Sequence, residues 1–157
     1  FIRNTGPSLS PFNAWVLSKS LETLAVRMDR HCDHALKLAI ELKDHPKLRA
    51  VHYPFLPDHP GHQIALKQMR AGGGLLTFEV QGGLTAGTRF MDRLEMITIT
   101  ANLGDTRTIA THPASSTHSK LPPEERERVG ITDGLIRVSV GLEHADDILN
   151  DIVQALD

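Results

Sequence analysis

The 157 residues, 40% of them hydrophobic, amount to one domain's worth of chain, with enough apolar side chains to bury a core without disulfides or metals. Lys and Arg number 17 against 19 Asp and Glu, a formal charge of -2, which removes the basic footprint that a nucleic-acid partner requires. A single cysteine, Cys32, forbids an internal disulfide, and there is neither an apolar run of membrane-spanning length nor a charged-then-apolar leader, so a cytoplasmic protein without a membrane is expected. The first residue, Phe1, is not an initiator Met; composition leaves open whether the chain is processed, incomplete or a piece of something longer.

Ser10-Pro11 reads as a helix N-cap followed by proline at the first helical position. Leu17, Leu21, Leu24, Met28, Cys32, Ala35, Ala39 and Leu42 then recur at steps of three and four, up to His45-Pro46. This predicts one long helix, a rod of roughly 45 Å at about 1.5 Å per residue, which reaches beyond its own domain. Two shorter core helices with a kink near Arg27 to Arg30 are the alternative. Helices are expected at about 59–70 and 83–94. Period-two alternation marks three strands: around Leu76, Phe78 and Val80; around Ile97 and Ile99; and around Ile136, Val138 and Val140, with Leu135, Arg137 and Ser139 opposite. One apolar and one mixed face per strand points to α+β, with a mostly antiparallel sheet and helices on one face. Residues 102–130 are expected to be irregular, and a final helix follows the stripe from Ala145 to Leu156, with Glu143, Asp146 and Asp147 at its positive end.

Nine histidines raise a metal hypothesis, but His31, His34, His59, His62, His112 and His118 fall in separate elements without ligand spacing. His31 and His34 are expected on the polar face of the long helix. Gly72-Gly73-Gly74 follows a helix and precedes a strand, the reverse of a phosphate cradle, and reads as a helix C-cap and turn. No Gly-x-Ser-x-Gly elbow is present. Arg137 stands mid-strand, facing away from Ile136, Val138 and Val140. It is either an exposed arginine on an open sheet face or a fixed fork that grips a carboxylate with two parallel hydrogen bonds.

Four stretches together, Asn102-Leu103-Gly104-Asp105-Thr106, Thr111 to His118, Gly130-Ile131 and Leu135 to Glu143, resemble the C-terminal signature of the Cys/Met-metabolism (trans-sulfuration) pyridoxal-phosphate enzymes. Gly6 to Trp15 and Leu21 to Met28 are similar to the segment that leads, in that family, from the cofactor domain into the small domain. The resemblance implies the small C-terminal domain of a fold-type I enzyme. Residues 1–42 would form a terminal segment and long interdomain helix linking to a cofactor domain absent from this chain, and residues 43–157 the α+β small domain. It implies Arg137 as the clamp for the α-carboxylate of a small amino-acid substrate, with Asn102, Leu103 and Thr117 beside it. Clamping the carboxylate selects which Cα bond stands perpendicular to the cofactor ring.

The family's cofactor-bearing lysine, in a Ser-x-Thr-Lys type motif, has no counterpart here; Lys19 in Leu17-Ser18-Lys19-Ser20 falls inside the long helix and reads as a solvated lysine. Also unmatched are the phosphate-binding glycines, the ring-stacking tyrosine and the aspartate at the pyridine nitrogen. The resemblance therefore implies pyridoxal 5′-phosphate as the parent's cofactor, no catalytic residue and no metal in this chain, and no activity of the chain alone. Asn102 with Asp105-Thr106 resembles the homoserine-ester sulfhydrylases of the family, above all those using the succinyl ester. The resemblance implies a parent that makes homocysteine for methionine biosynthesis and is expected to be a cytoplasmic homotetramer. Lyases of methionine type or cystathionine-handling members are the alternative, and a non-enzymatic binding or regulatory module is the alternative of another class.

Overall fold

The computed structural model describes residues 4, 6 and 8–157; Phe1 and Pro7, used in the sequence reading, lie outside these. Ser10 caps the first helix as its sequence implies, its Oγ accepting the Asn13 N–H at 3.2 Å ahead of Pro11. That helix, α1 (Pro11–Leu21), ends early, and α2 (Leu24–Leu42) begins after a break at Glu22-Thr23. The single long rod is therefore corrected to two helices, and the break lies upstream of Arg27 to Arg30. Its cause is side-chain chemistry: Arg27 reaches back to donate from Nη2 to the Ser20 carbonyl at 2.7 Å and from Nε to Thr23 Oγ1 at 3.2 Å, satisfying the end of α1. Nor is α1 a core helix, because it buries none of its residues; Phe12, Trp15, Leu17 and Leu21 are all exposed.

The C-terminal half of α2 packs into the main core through Ala35, Leu38, Ala39 and Leu42. Then follow β1 (Leu48–His52), α3 (His62–Gln68), β2 (Leu75–Val80), α4 (Gly83–Asp92), β3 (Thr98–Ile99), β4 (Ile109–Thr111), a 3-10 turn (Pro113–Ser115), α5 (Pro123–Arg128), β5 (Leu135–Ser139) and α6 (Ala145–Leu156). The five strands form one sheet in the order β1-β2-β5-β4-β3, antiparallel except for the β3–β4 pair. Leu76, Phe78, Ile136 and Val138 bury their side chains on one face of it, under α2, α4 and α6, with Phe78 edge-on to Phe90 of α4 at 5.5 Å between ring centres. This is the expected α+β architecture.

Several expectations change at the local level. Ile97 and Ile99 do not form one buried strand face: Ile97 is buried but lies outside β3, a two-residue edge strand in which Ile99 is exposed. The 102–130 stretch contains β4, the 3-10 turn and α5 rather than loop alone. Gly72 to Gly74 are neither a helix C-cap nor a regular turn, since α3 already ends at Gln68 and the stretch is irregular chain leading into β2; glycine is needed at 72 because a Cβ there would lie 2.5 Å from the Tyr53 ring. Tyr53 in turn donates its hydroxyl to the Gly73 carbonyl at 2.9 Å, and burial pushes its phenol pKa up. Glu143 does not serve the start of α6. It accepts from the Thr108 N–H at 2.7 Å and the Thr108 hydroxyl at 2.8 Å, while His144 caps that helix.

Candidate carboxylate-binding site

The antiparallel registers place His52, Thr77, Arg137 and Thr111 in one row across the sheet face opposite the helices. Arg137 occupies the central strand, with ladder partners on both sides, so its Cα is held rigidly while its side chain leaves the core. Thr77 and Thr111 flank it with short polar side chains that leave the guanidinium reachable, and Arg137 itself is half-buried.

Beyond Ile99 the chain makes one more sheet bond, from the Thr100 N–H to the Ala110 carbonyl at 3.1 Å. It then curls over the outer face of β5. There Arg137 Nη2 donates to the Ala101 carbonyl at 2.7 Å and to the Asn102 carbonyl at 3.2 Å. Two residues on, the Gly104 N–H donates to Ser139 Oγ at 2.9 Å, and Gly104 takes φ +81°, a left-handed conformation suited to glycine. Arg137 and Ser139, alternate residues on one strand face, thus hold one short loop at two points.

Charge at the site is one-sided. Among the described residues Arg137 forms no ion pair. The carboxylate nearest the loop in sequence, Asp105, is committed elsewhere: it accepts from the Arg107 guanidinium at 3.1 Å and from the Arg107 N–H at 3.0 Å. Those bonds hold the Asp105 carboxyl down at about 2. A half-buried guanidinium with only neutral carbonyls for partners is poised for an anion, and its planar fork matches a carboxylate.

Of the residues singled out in the sequence, the structure brings together Arg137, Asn102 and Leu103. Asn102 meets Arg137 through its main-chain carbonyl. Exposed Leu103 helps line a cavity of about 250 Å³ with Ser139, His31, Met28 and Leu75. Thr117 stands apart on an exposed loop, its hydroxyl paired with Nδ1 of its neighbour His118 at 2.8 Å. Among the described residues no hydrogen bond joins it to Arg137 or to the 101–104 loop. Ser139 and Ala101 also take part; Ser139 shares the Arg137 face in the sequence pattern, but its partner Gly104 lies 35 residues away.

The histidines have structural employment. His31 and His34 are buried, not on a polar face, and their Nδ1 atoms bond the carbonyls of Val140 at 2.6 Å and Gly141 at 3.2 Å, where β5 ends. His112 spans the Ser115 hydroxyl and the Asp133 carbonyl, each at 2.8 Å. Among the described residues no three His, Cys, Asp or Glu side chains converge as a metal site would need, and no helix is long and apolar enough to cross a membrane. No lysine among them is buried, and Lys19 is exposed and paired with Glu22 at 3.0 Å.

The chain has relatives among known proteins. The family model described as Cys/Met metabolism PLP-dependent enzyme matches residues 1–157. An O-succinylhomoserine sulfhydrylase of Pseudomonas aeruginosa is 49% identical over 156 residues, 99% of this chain and 39% of its own length. An L-methionine gamma-lyase of Fusobacterium nucleatum is 46% identical over 153 residues, 98% of this chain and 39% of its own. A solved Campylobacter jejuni chain carrying N′-pyridoxyl-lysine-5′-monophosphate superposes with a TM-score of 0.90 at 41% identity, covering 99% of this chain and 37% of that one. The chain thus spans about two-fifths of the length of the curated relatives it matches.

Proposed function

The chain belongs to the Cys/Met metabolism PLP-dependent enzyme family, and from that premise we propose that it supplies the substrate-carboxylate side of an enzyme of sulfur amino-acid metabolism. The observation that carries the reading is Arg137: half-buried, fixed on a central strand, turned away from the core and lacking a carboxylate partner among the described residues. Two parallel hydrogen bonds from its fork fix the plane of a carboxylate as well as its position, which orients everything attached to the substrate's Cα. Asn102 and Leu103 border the same place; Thr117 belongs to the proposed set although in this structure its hydroxyl pairs with His118.

In the proposal this chain, whose sequence has no Ser-x-Thr-Lys type motif, works with a cofactor-bearing domain that holds pyridoxal phosphate, in a homotetramer, and is inactive alone. The substrate is an acylated homoserine whose succinyloxy group is replaced by sulfide, giving homocysteine and succinate; the P. aeruginosa relative's name supports this. Cleavage of methionine is the second reading, favoured by the similar identity to the F. nucleatum lyase.

The test is Arg137→Ala in the full-length enzyme, assayed with O-succinylhomoserine plus sulfide and, separately, with methionine. Loss of a two-pronged charged contact lowers kcat/KM by about 100-fold or more, and Arg137→Lys restores little because a point charge lacks the fork. An unchanged kcat/KM refutes the clamp. Which of the two substrates turns over decides between sulfhydrylase and lyase.

A further inference from the structure

Arg137 meets the 101–104 loop through one nitrogen. Its bonds to the Ala101 carbonyl at 2.7 Å and to the Asn102 carbonyl at 3.2 Å both leave from Nη2. A guanidinium grips a carboxylate with two parallel bonds in either of two ways: end-on through Nη1 and Nη2, or side-on through Nε and Nη2. Nη2 belongs to both. With its hydrogens directed at two carbonyls, neither two-pronged edge of the fork is complete.

We propose that the Ala101–Gly104 loop is a latch on the carboxylate clamp: the substrate carboxylate takes Arg137 over by displacing the Ala101 and Asn102 carbonyls, and the loop lifts as it binds. This rests on the reading of Arg137 as the clamp. Ser139 is the second hold and a positioning residue. Its hydroxyl keeps the Gly104 N–H, and only Leu103 separates that amide from the Asn102 carbonyl, so one hold cannot be released without dragging on the other. The loop is built to move. All four of its residues are exposed, so its freed carbonyls and amide pass to water, whereas Ser139, Val138 and Ile136 of the strand beneath are buried. Resident carbonyls also keep a half-buried charge hydrogen-bonded while no substrate is present. They make the site selective, because a neutral group or a lone acceptor gains too little from the fork to evict two partners.

The experiment uses the full-length, cofactor-loaded enzyme and two probes: L-norleucine, which has no γ leaving group, and pentylamine, which is norleucine without its carboxylate. Amide hydrogen exchange at Gly104 should speed up about fivefold or more with norleucine and stay unchanged with pentylamine. Ser139→Ala, which removes one hold on the latched state, should bind norleucine about fivefold more tightly by calorimetry, while Ser139→Thr keeps the hydroxyl and the original affinity. Unchanged or slowed Gly104 exchange on norleucine binding overturns the latch, as does weaker norleucine binding by Ser139→Ala. The clamp itself is scored separately: if Arg137→Ala binds norleucine as well as the original enzyme does, the clamp reading fails, whatever the loop does. Exchange across residues 135–139 checks that each variant keeps β5, and Arg137→Lys replaces the alanine variant if that strand loses protection.

Discussion

Removing the Asp151 carboxylate should destabilise the fold and loosen the approach to the site together. Asp151 lies on α6 and is 6% exposed. Its Oδ1 accepts the Glu95 N–H at 2.9 Å and Gln154 Nε2 at 3.0 Å, and its Oδ2 accepts the N–H groups of Met96 at 3.0 Å and Ile97 at 2.8 Å. The three backbone donors form the turn between α4 and β3, and β3 leads directly to the Ala101 and Asn102 carbonyls. In Asp151→Ala water can reach the amides of exposed Glu95 and Met96, but not that of buried Ile97. One stranded donor and two weakened ones sum to about 3 kcal/mol, or a fall in Tm of roughly 6–12 °C for a domain of this size. Burial is the largest influence on the carboxyl and raises its pKa, yet the backbone N–H groups of Glu95, Ile97 and Met96 together outweigh it and hold the group below its ordinary 3.8. A depressed native pKa adds stability that is complete above the unfolded value and is lost as the pH falls through the folded one. Urea unfolding at pH 7, 5 and 3 should therefore show a constant gap between the protein and Asp151→Ala at the first two values and a narrower gap at the last. A variant within about 0.5 kcal/mol of the original at pH 7, or a gap that widens as the pH drops, would refute this account.

Gly141→Ala should cost at least about 2 kcal/mol, because the added Cβ would lie 2.4 Å from the Thr108 nitrogen and 2.5 Å from the Arg107 carbonyl carbon, neither of which is a flexible side chain. Gly130→Ala, with φ +79° but nothing within 4 Å, should lose only the roughly 1–2 kcal/mol of left-handed strain; denaturant midpoints of the two variants compare them directly. The paired substitution Trp15→Glu with Leu17→Glu should leave Tm within about 2 °C, since α1 contributes nothing to the core, yet shift sedimentation of the isolated chain toward smaller species. A large loss of Tm, or sedimentation that ignores the substitutions, would contradict the view of α1 as a helix awaiting a partner surface.

Elements with one dry and one wet face were legible in the sequence. Strands β2 and β5 and helix α6 announced themselves because Leu76, Phe78, Val80, Ile136, Val138 and the stripe from Ala145 to Leu156 each face a single environment. Strand β4 did not. Ile109 and Ala110 point to opposite faces, yet both are buried, so no alternation survives to be read. The break after α1 was hidden because no glycine or proline marks it; it is stabilised by a side chain four residues beyond, and local pattern does not contain that reach. His31 and His34 sit at polar positions of a helix that happens to pass the end of β5, and their burial is decided by a contact more than a hundred residues away. At the site, periodicity could say that Arg137 faces away from the core, but not that it faces anything. The Asn102 loop entered only through resemblance, and Ser139 was visible only as a neighbour.

The division of labour between strand and loop follows from what each must do. Orienting a carboxylate demands a guanidinium whose origin does not drift, and β5 provides this with ladder bonds on both sides and Val138 and Ile136 packed beneath. Contact with the variable remainder of a substrate demands adjustment, and the Ala101–Gly104 loop, exposed and attached to β5 by one arginine nitrogen and one serine hydroxyl, can adjust without disturbing the core. Had Asn102 been placed on a strand and Arg137 on the loop, the same two groups would meet, but the charge would wander and the substrate's side chain would face a fixed wall. Because the loop's attachments are made to Arg137 and Ser139, the proposed recognition of a carboxylate by Arg137 would make repositioning of Asn102 and Leu103 part of the same event.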